Sequence, residues 1–186
     1  MYHETTRDTV LKLFGLPESF VPETCIALGQ VPRVTLWERW RGYFDSVIEQ
    51  KVWENALFGT LRGKPTVFVN VYGATMAADY VRCPQVLGAK QVIQIGFYGG
   101  LQHHMNTGDF LVGTHAVRLD GASDFYLPRD VALPASAELT AQIISHIKAL
   151  DAEAVIHQAP IISTGGGILS ETKAQIDSCA RWGWVG

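Results

Sequence analysis

Four short apolar runs, each passing into a loop of glycines and small residues, constrain this chain more than any other feature. Thr24–Leu28 stops at Gly29, and Thr66–Val71 passes into Tyr72-Gly73-Ala74-Thr75-Met76. Gln91–Ile95 stops at Gly96, and Val155–Ile162 leads to Thr164-Gly165-Gly166-Gly167. Apolar runs this short, bounded by turn residues, read as strands rather than helices. Helical patterns stand between and around them. Thr5–Phe14 is amphipathic and ends at Gly15, with Pro17 beyond; Arg33–Tyr43 repeats large apolar residues at three-to-four spacing. Gly73–Leu87 is expected to be broken by Pro84 and Gly88, Ala137–Leu150 sets Leu139, Ile143, Ile144 and Ile147 on one face, and Ser170-Glu171 is placed to cap a helix reaching Trp182. Further strands are predicted at Ser46–Lys51, at Asn55–Leu61, which joins Thr66–Val71 through the Arg62-Gly63-Lys64-Pro65 turn, and at Phe110–Val117 before a polar loop, Arg118–Asp130. Strands alternating with helices predict an α/β fold: a single domain over residues 1–186, with a mixed twisted sheet flanked by helices. Gln91–Ile95 is expected to be buried on both faces. Trp184-Val185 reads as the start of another strand just before Gly186, so the chain is expected to be incomplete at its C-terminus.

Composition narrows the function classes. With 186 residues, 47% hydrophobic and 18% charged, the chain is no disordered tail, coiled coil or disulfide-stapled miniprotein. A net charge of −3 provides no basic field for a phosphate polymer, so the expected ligand is a small molecule rather than a nucleic acid. Cys25, Cys83 and Cys179 are odd in number and lack C-x-x-C spacing, which points to buried thiols in a reducing compartment. No apolar run reaches the ~18 residues of a membrane span, and Met1–Leu16 carries charges where a signal peptide is apolar. The expectation is a cytoplasmic protein with no membrane partner.

In open α/β sheets, ligands bind beyond the carboxyl ends of the strands, so the loops Gly29–Arg33, Tyr72–Met76, Gly96–Gly100 and Thr164–Gly167 are expected to line the site. Glycine there lets backbone N–H groups approach an anion or a sugar, and a helix starting at Gly73 adds partial positive charge. Gly96-x-x-Gly99-Gly100 is not the dinucleotide fingerprint, and no Walker lysine follows a glycine loop. His103-His104 with Asp109 invites a metal reading, but adjacent histidines on an extended segment point to opposite sides, so no metal is expected. No G-x-S-x-G elbow supports a serine nucleophile.

The stretch Ile93-Gln94-Ile95-Gly96-Phe97-Tyr98-Gly99-Gly100-Leu101-Gln102-His103-His104-Met105-Asn106-Thr107-Gly108-Asp109 carries more information than its glycines alone. With Gly63-Lys64-Pro65 before it, Val117-Arg118-Leu119-Asp120-Gly121-Ala122-Ser123 after it, and the Gly29-x-x-Pro32-Arg33 loop, it resembles the nucleoside phosphorylase superfamily, in its uridine phosphorylase-like branch. The resemblance implies an α/β fold with a partly barrelled sheet, a homo-oligomer of dimers or rings of dimers, and cleavage of a nucleoside N-glycosidic bond. Phosphate would be the co-substrate, with no other cofactor. It further implies phosphate contacts from Gly29 and Arg33, with Gln94 and Thr75 at the remaining positions. Nucleoside contacts would come from Phe97, Tyr98, Gly99, Ser163, Thr164 and Gly165, and no catalytic acid or base is assigned.

This chain departs from the family pattern at three phosphate positions. An arginine, a threonine and a serine in the family correspond here to Gln94, Phe97 and Met76, with Thr75 adjacent. Losing a charged donor to a desolvated anion costs about 1.5–3 kcal/mol. The family's Met-Glu segment, which holds the ribose hydroxyls, would begin just after Gly186, and His3 is only loosely placed to resemble an N-terminal histidine lent to a neighbouring subunit. Three activities therefore stay open: phosphorolysis; hydrolysis, favoured by the eroded phosphate contacts but opposed by Arg33, where hydrolytic relatives carry a glutamate; and a catalytically silent nucleoside-binding or scaffold role.

Overall fold

Arg62 (φ 50°) and Gly63 (φ 76°) both take positive φ, and Leu61 pairs with Lys64 across them. This two-residue turn has the twist that flanking strands require, and it closes a hairpin of β3 (Ala56–Leu61) and β4 (Lys64–Val71). The Gly63 N–H donates to Asp45 Oδ2 at 2.7 Å, holding the turn against the chain before β2 (Ser46–Ile48). In this computed structural model the described residues are 4–29, 38–49, 55–165 and 172–182. They fall into two compact units, Met1–Phe97 and Tyr98–Gly186.

The first unit holds a five-stranded mixed sheet in the order β2-β3-β4-β1-β5, with β1 at Thr24–Gly29 and β5 at Gln91–Ile95. β2, β3 and β4 run antiparallel in turn, while β4, β1 and β5 are parallel. Period-two alternation divides the side chains cleanly between the two faces. Cys25, Ala27, Ala56, Phe58, Val67, Val69 and Val71 face α1 (Arg7–Phe14) and α2 (Gly73–Leu87), packing with Val10, Phe14, Phe20 and Leu87. Leu28, Leu57 and Phe68 face the other way, with Phe44 and Trp40 over them. Phe14 and Phe58 meet with ring centroids 5.1 Å apart, and Trp40 stacks on Phe68 at 4.7 Å. Full burial of one such side chain stabilises by about 1.5–3 kcal/mol.

α1 starts at Arg7 rather than Thr5, where Thr6 Oγ1 accepts the Thr9 N–H, and stops at Gly15 (φ 63°) as the sequence leads one to expect. Arg7 then ties it down by donating to the backbone carbonyls of Leu87, Glu18 and Phe20 at 2.6–2.9 Å. Two expectations need correction. Pro84 does not break α2, which runs through it to Leu87 and ends only at Gly88 (φ 113°). A proline this near the C-terminus removes one amide without leaving a long downstream segment to misdirect. β5 is not buried on both faces: it is the edge strand of this sheet, and Val92 and Ile95 are 39% and 43% exposed. An apolar run reports strand character, not how many neighbours the strand acquires. Of the helix expected over Arg33–Tyr43, residues 38–41 are helical and 33–37 lie outside the described residues.

The second unit is built on two parallel strands, β6 (Phe110–Leu119) and β7 (Ile156–Thr164), whose pairing runs from Phe110↔Ile156 to Leu119↔Thr164 with an irregularity between Gly113 and Ala116. The connection contains a 3₁₀ turn at Ser123–Phe125 and α3 (Ala137–Leu150), which Ser136 caps by accepting the Leu139 N–H. Leu139, Ile143, Ile144 and Ile147 are all half-buried on α3, as their spacing predicts. The last helix, α4 (Lys173–Arg181), is capped by Thr172, whose Oγ1 accepts the Gln175 N–H at 3.3 Å. Ser170, the expected cap, lies outside the described residues. No helix among the described residues is long and apolar enough to cross a membrane.

Candidate functional site

Parallel pairing brings the carboxyl ends of β4, β1 and β5 side by side. Val71 is opposite Gly29, and Leu28 is opposite Ile95, so the loops opening at Tyr72, after Gly29 and at Gly96 share one edge of the first unit's sheet. The backbones crowd there: a Cβ at Gly29 would lie 3.8 Å from the Val71 carbonyl oxygen, and one at Gly96 would lie 3.7 Å from that of Gly29. α2 begins at this edge with Gly73 in a left-handed conformation (φ 80°) and no side-chain cap from Tyr72. First-turn amides without a side-chain cap are natural anion donors. Thr75 is exposed in that first turn, and Gln94 is exposed on β5 opposite Ala27, two residues before Gly96. Gly29, Thr75 and Gln94 thus belong to the edge that the sequence singles out. Arg33 lies outside the described residues.

Met76 has a different task. Its sulfur accepts the Tyr72 N–H at 3.4 Å, and its side chain packs against the core beneath α2. It serves as a helix-start and packing residue, leaving Thr75 as the outward hydroxyl. Phe97, at the end of the same unit, is 82% exposed.

In the second unit, Ser163, Thr164 and Gly165 form a lip at the carboxyl ends of β6 and β7, where Arg118 pairs with Ser163 and Leu119 with Thr164. Gly165 is required by the close approach: a Cβ there would come within 2.7 Å of the Asp120 carbonyl oxygen. The Asp120 carboxylate accepts the Ser123 N–H at 2.6 Å and the Ser123 hydroxyl at 3.0 Å, and Ser163 hydrogen-bonds it as well. Burial pushes this carboxyl upward, but the hydrogen bonds from Ser123 and Ser163 outweigh it and hold the group below its ordinary range. Arg118, with its side chain only 6% exposed, braces the loop. Its Nε donates to Ser123 Oγ at 2.8 Å, its other nitrogens donate to the Pro128 and Leu127 carbonyls, and it pairs with Asp124 at 3.0 Å.

The other end of β6 holds a second cluster. His157 Nε2 lies 2.8 Å from Asp109 Oδ2, and both side chains are largely buried. The hydrogen bond from His157 chiefly, then that from the Asn106 N–H, keeps the Asp109 carboxyl below its usual range. The Tyr98 hydroxyl donates to the Asp109 carbonyl at 3.1 Å; burial, and then the Asp109 charge, pushes that phenol upward. Tyr98 is therefore anchored at the start of β6, whereas Ser163–Gly165 stand at its end, about 30 Å away by strand rise. Gly99, next to Tyr98, is exposed. Residues 103–104 form a turn rather than an extended segment. The His104 ring approaches His157 at 5.5 Å, while His103 acts electrostatically on Asp177 of α4. Among the described residues no group of three or more His, Cys, Asp or Glu could hold a metal ion.

Compared with known proteins, residues 45–186 match the family model of the phosphorylase superfamily. The chain belongs to the phosphorylase superfamily. Within that family it is similar to uridine phosphorylases. It is 35% identical over 92 residues to uridine phosphorylase of Haemophilus influenzae and 34% identical over 93 residues to that of Escherichia coli. These matches take in 49% and 50% of this chain and 36% and 37% of the relatives, so the chain spans little more than a third of the curated relatives it matches. Uridine phosphorylase from Vibrio fischeri superposes on this phosphorylase-superfamily chain with a TM-score of 0.74 at 23% identity, covering 92% of this chain and 70% of the other. The P knowlesi homolog of P falciparum PNP gives a TM-score of 0.74 at 20% identity, covering 93% and 70%. Those two likenesses bear on the fold, which is the mixed α/β architecture expected.

Proposed function

We propose that this protein cleaves the N-glycosidic bond of a nucleoside with inorganic phosphate, acting as a pentosyltransferase that releases the base and a pentose 1-phosphate. The observation that carries the proposal is the family match over residues 45–186 together with the likeness to uridine phosphorylases. The crowded carboxyl edge at Val71, Gly29 and Gly96 also supports it, because backbone amides and the start of α2 suit an anion there.

The chemistry sets the roles. As the C1′–N bond breaks, positive charge develops on the pentose, and a phosphate oxygen held beneath C1′ both stabilises that charge and forms the new bond. Gly29 approaches the phosphate through its backbone, Arg33 supplies the guanidinium, and Thr75 and Gln94 supply neutral donors. Ser163, Thr164 and Gly165, at the carboxyl ends of β6 and β7, contact the nucleoside. Phosphate is the co-substrate and no other cofactor takes part. The protein works in the cytoplasm as a homo-oligomer, with residues 1–186 belonging to one phosphorylase-like domain, and it engages neither nucleic acid nor membrane.

The test is base release by the full-length protein from uridine and inosine, followed by chromatography with and without phosphate. Release that requires phosphate supports the proposal. Release without phosphate makes the protein a nucleosidase, and binding without release makes it a silent member; either refutes phosphorolysis. Arg33→Ala should raise the phosphate KM at least tenfold or abolish turnover, and unchanged kinetics would remove Arg33 from the site.

A further inference from the structure

The hydrogen bonds around Asp120 have only one consistent direction. A guanidinium has donors alone, so Ser123 Oγ accepts from Arg118 Nε and passes its own proton to Asp120 Oδ2. An ionised carboxylate has acceptors alone, so the Ser163 hydroxyl must also give its proton to Asp120. What Ser163 can still offer is its lone pairs. The Asp120 carbonyl, pressed against Gly165, fixes the same lip from the backbone side.

Building on the phosphorolysis reading, we propose that Asp120 is a positioning residue that sets Ser163 as a hydrogen-bond acceptor toward the base, so that Ser163 reads a ring N–H of the nucleoside. Arg118 and Ser123 hold the carboxylate in place from the far side. Specificity at this lip therefore depends on a residue that touches no substrate. The relay favours nucleosides whose base presents an N–H over analogues in which that hydrogen is replaced, because the analogue leaves the oriented acceptor unpaired.

The test uses the full-length protein at saturating phosphate, as wild type, Asp120→Ala, Asp120→Asn, Ser163→Ala and the Asp120→Ala/Ser163→Ala pair. Uridine and inosine are compared with N3-methyluridine and N1-methylinosine. Ser163→Ala should lower kcat/KM for the N–H nucleoside roughly five- to tenfold, chiefly through KM, and narrow the gap to the methylated analogue. Asp120→Ala should do the same, and the pair should cost no more than either alone. Asp120→Asn keeps one carbonyl acceptor at the lip and should lose less activity than Asp120→Ala. Losses that multiply in the pair, or an Asp120→Asn variant as impaired as Asp120→Ala, would overturn the proposal. Wild-type protein that releases no base would refute phosphorolysis instead. Hydrogen exchange of residues 161–165 then still reports on Asp120: faster exchange in Asp120→Ala supports its hold on the lip, and unchanged exchange refutes it.

Discussion

Replacing Arg118 should cost more stability than almost any other charged residue in the second unit. Its guanidinium is 6% exposed and serves four acceptors: Ser123 Oγ, Asp124 Oδ1 and the carbonyls of Leu127 and Pro128. Removing one member of a buried ion pair costs about 3–5 kcal/mol when its partner is stranded. Asp124 is not fully stranded here, because Arg129 Nε pairs with its other oxygen at 2.6 Å. Most of the loss then comes from two carbonyls and one hydroxyl left without their donor, at about 1 kcal/mol or more each. Arg118→Ala should thus destabilise by about 3 kcal/mol. Arg118→Lys keeps the charge but not the planar fork, and should lose about half as much. Urea unfolding of the full-length protein at fixed concentration reads this directly: with a slope of about 2 kcal/mol/M, the midpoint should fall by about 1.5 M for the alanine variant. A fall below about 0.3 M, or a lysine variant no better than alanine, would refute the view that this side chain holds the loop.

Three other outcomes follow from the structure. The hydrogen bond from His157 lowers the Asp109 pKa in the folded state, so its stabilising contribution is present above the ordinary carboxylate range and is lost as pH falls through the lowered value; His157→Ala should flatten the acid limb of stability against pH, and an unchanged limb would contradict the pairing. Burial pushes the Cys25 thiol from 9.0 to about 12 and is the leading cause of the rise in Cys83 to about 11, with Asp79 adding to it and Arg82 opposing it. At pH 8 both should react with iodoacetamide at least about a hundredfold more slowly in the folded protein than in urea, and comparable rates would refute the burial of Cys25 and the partial burial of Cys83, which is less enclosed than the sequence suggests. Gln94→Arg should lower the phosphate KM, and no change would remove Gln94 from the phosphate contacts.

Much of this architecture was legible because local chemistry and tertiary pairing agree. Ala137–Leu150 has a serine cap before it and a four-residue apolar stripe within it, and Gln91–Ile95 is bounded by Lys90 and Gly96, so the limits of both elements could be read residue by residue. Burial was less legible. Val92 and Ile95 look like core residues, yet their strand lies at a sheet edge, and edge position is a property of topology rather than of local sequence. Long-range polar pairs were the least legible. Asp109 and His157 are 48 residues apart and meet only because β6 and β7 pair in parallel; the one available signal was a histidine inside an apolar strand pattern. Arg118 and Asp120 stand in a motif that carries the family resemblance, but their hydrogen-bond partners depend on the conformation of the loop to Pro128.

The most direct measurement identifies the sugar product. Full-length protein incubated with uridine or inosine and phosphate is followed by phosphorus NMR alongside release of the free base. A pentose 1-phosphate resonance growing in step with the base, one for one, is the expected result. Base accompanied by free pentose and an unchanged phosphate signal would contradict phosphorolysis outright.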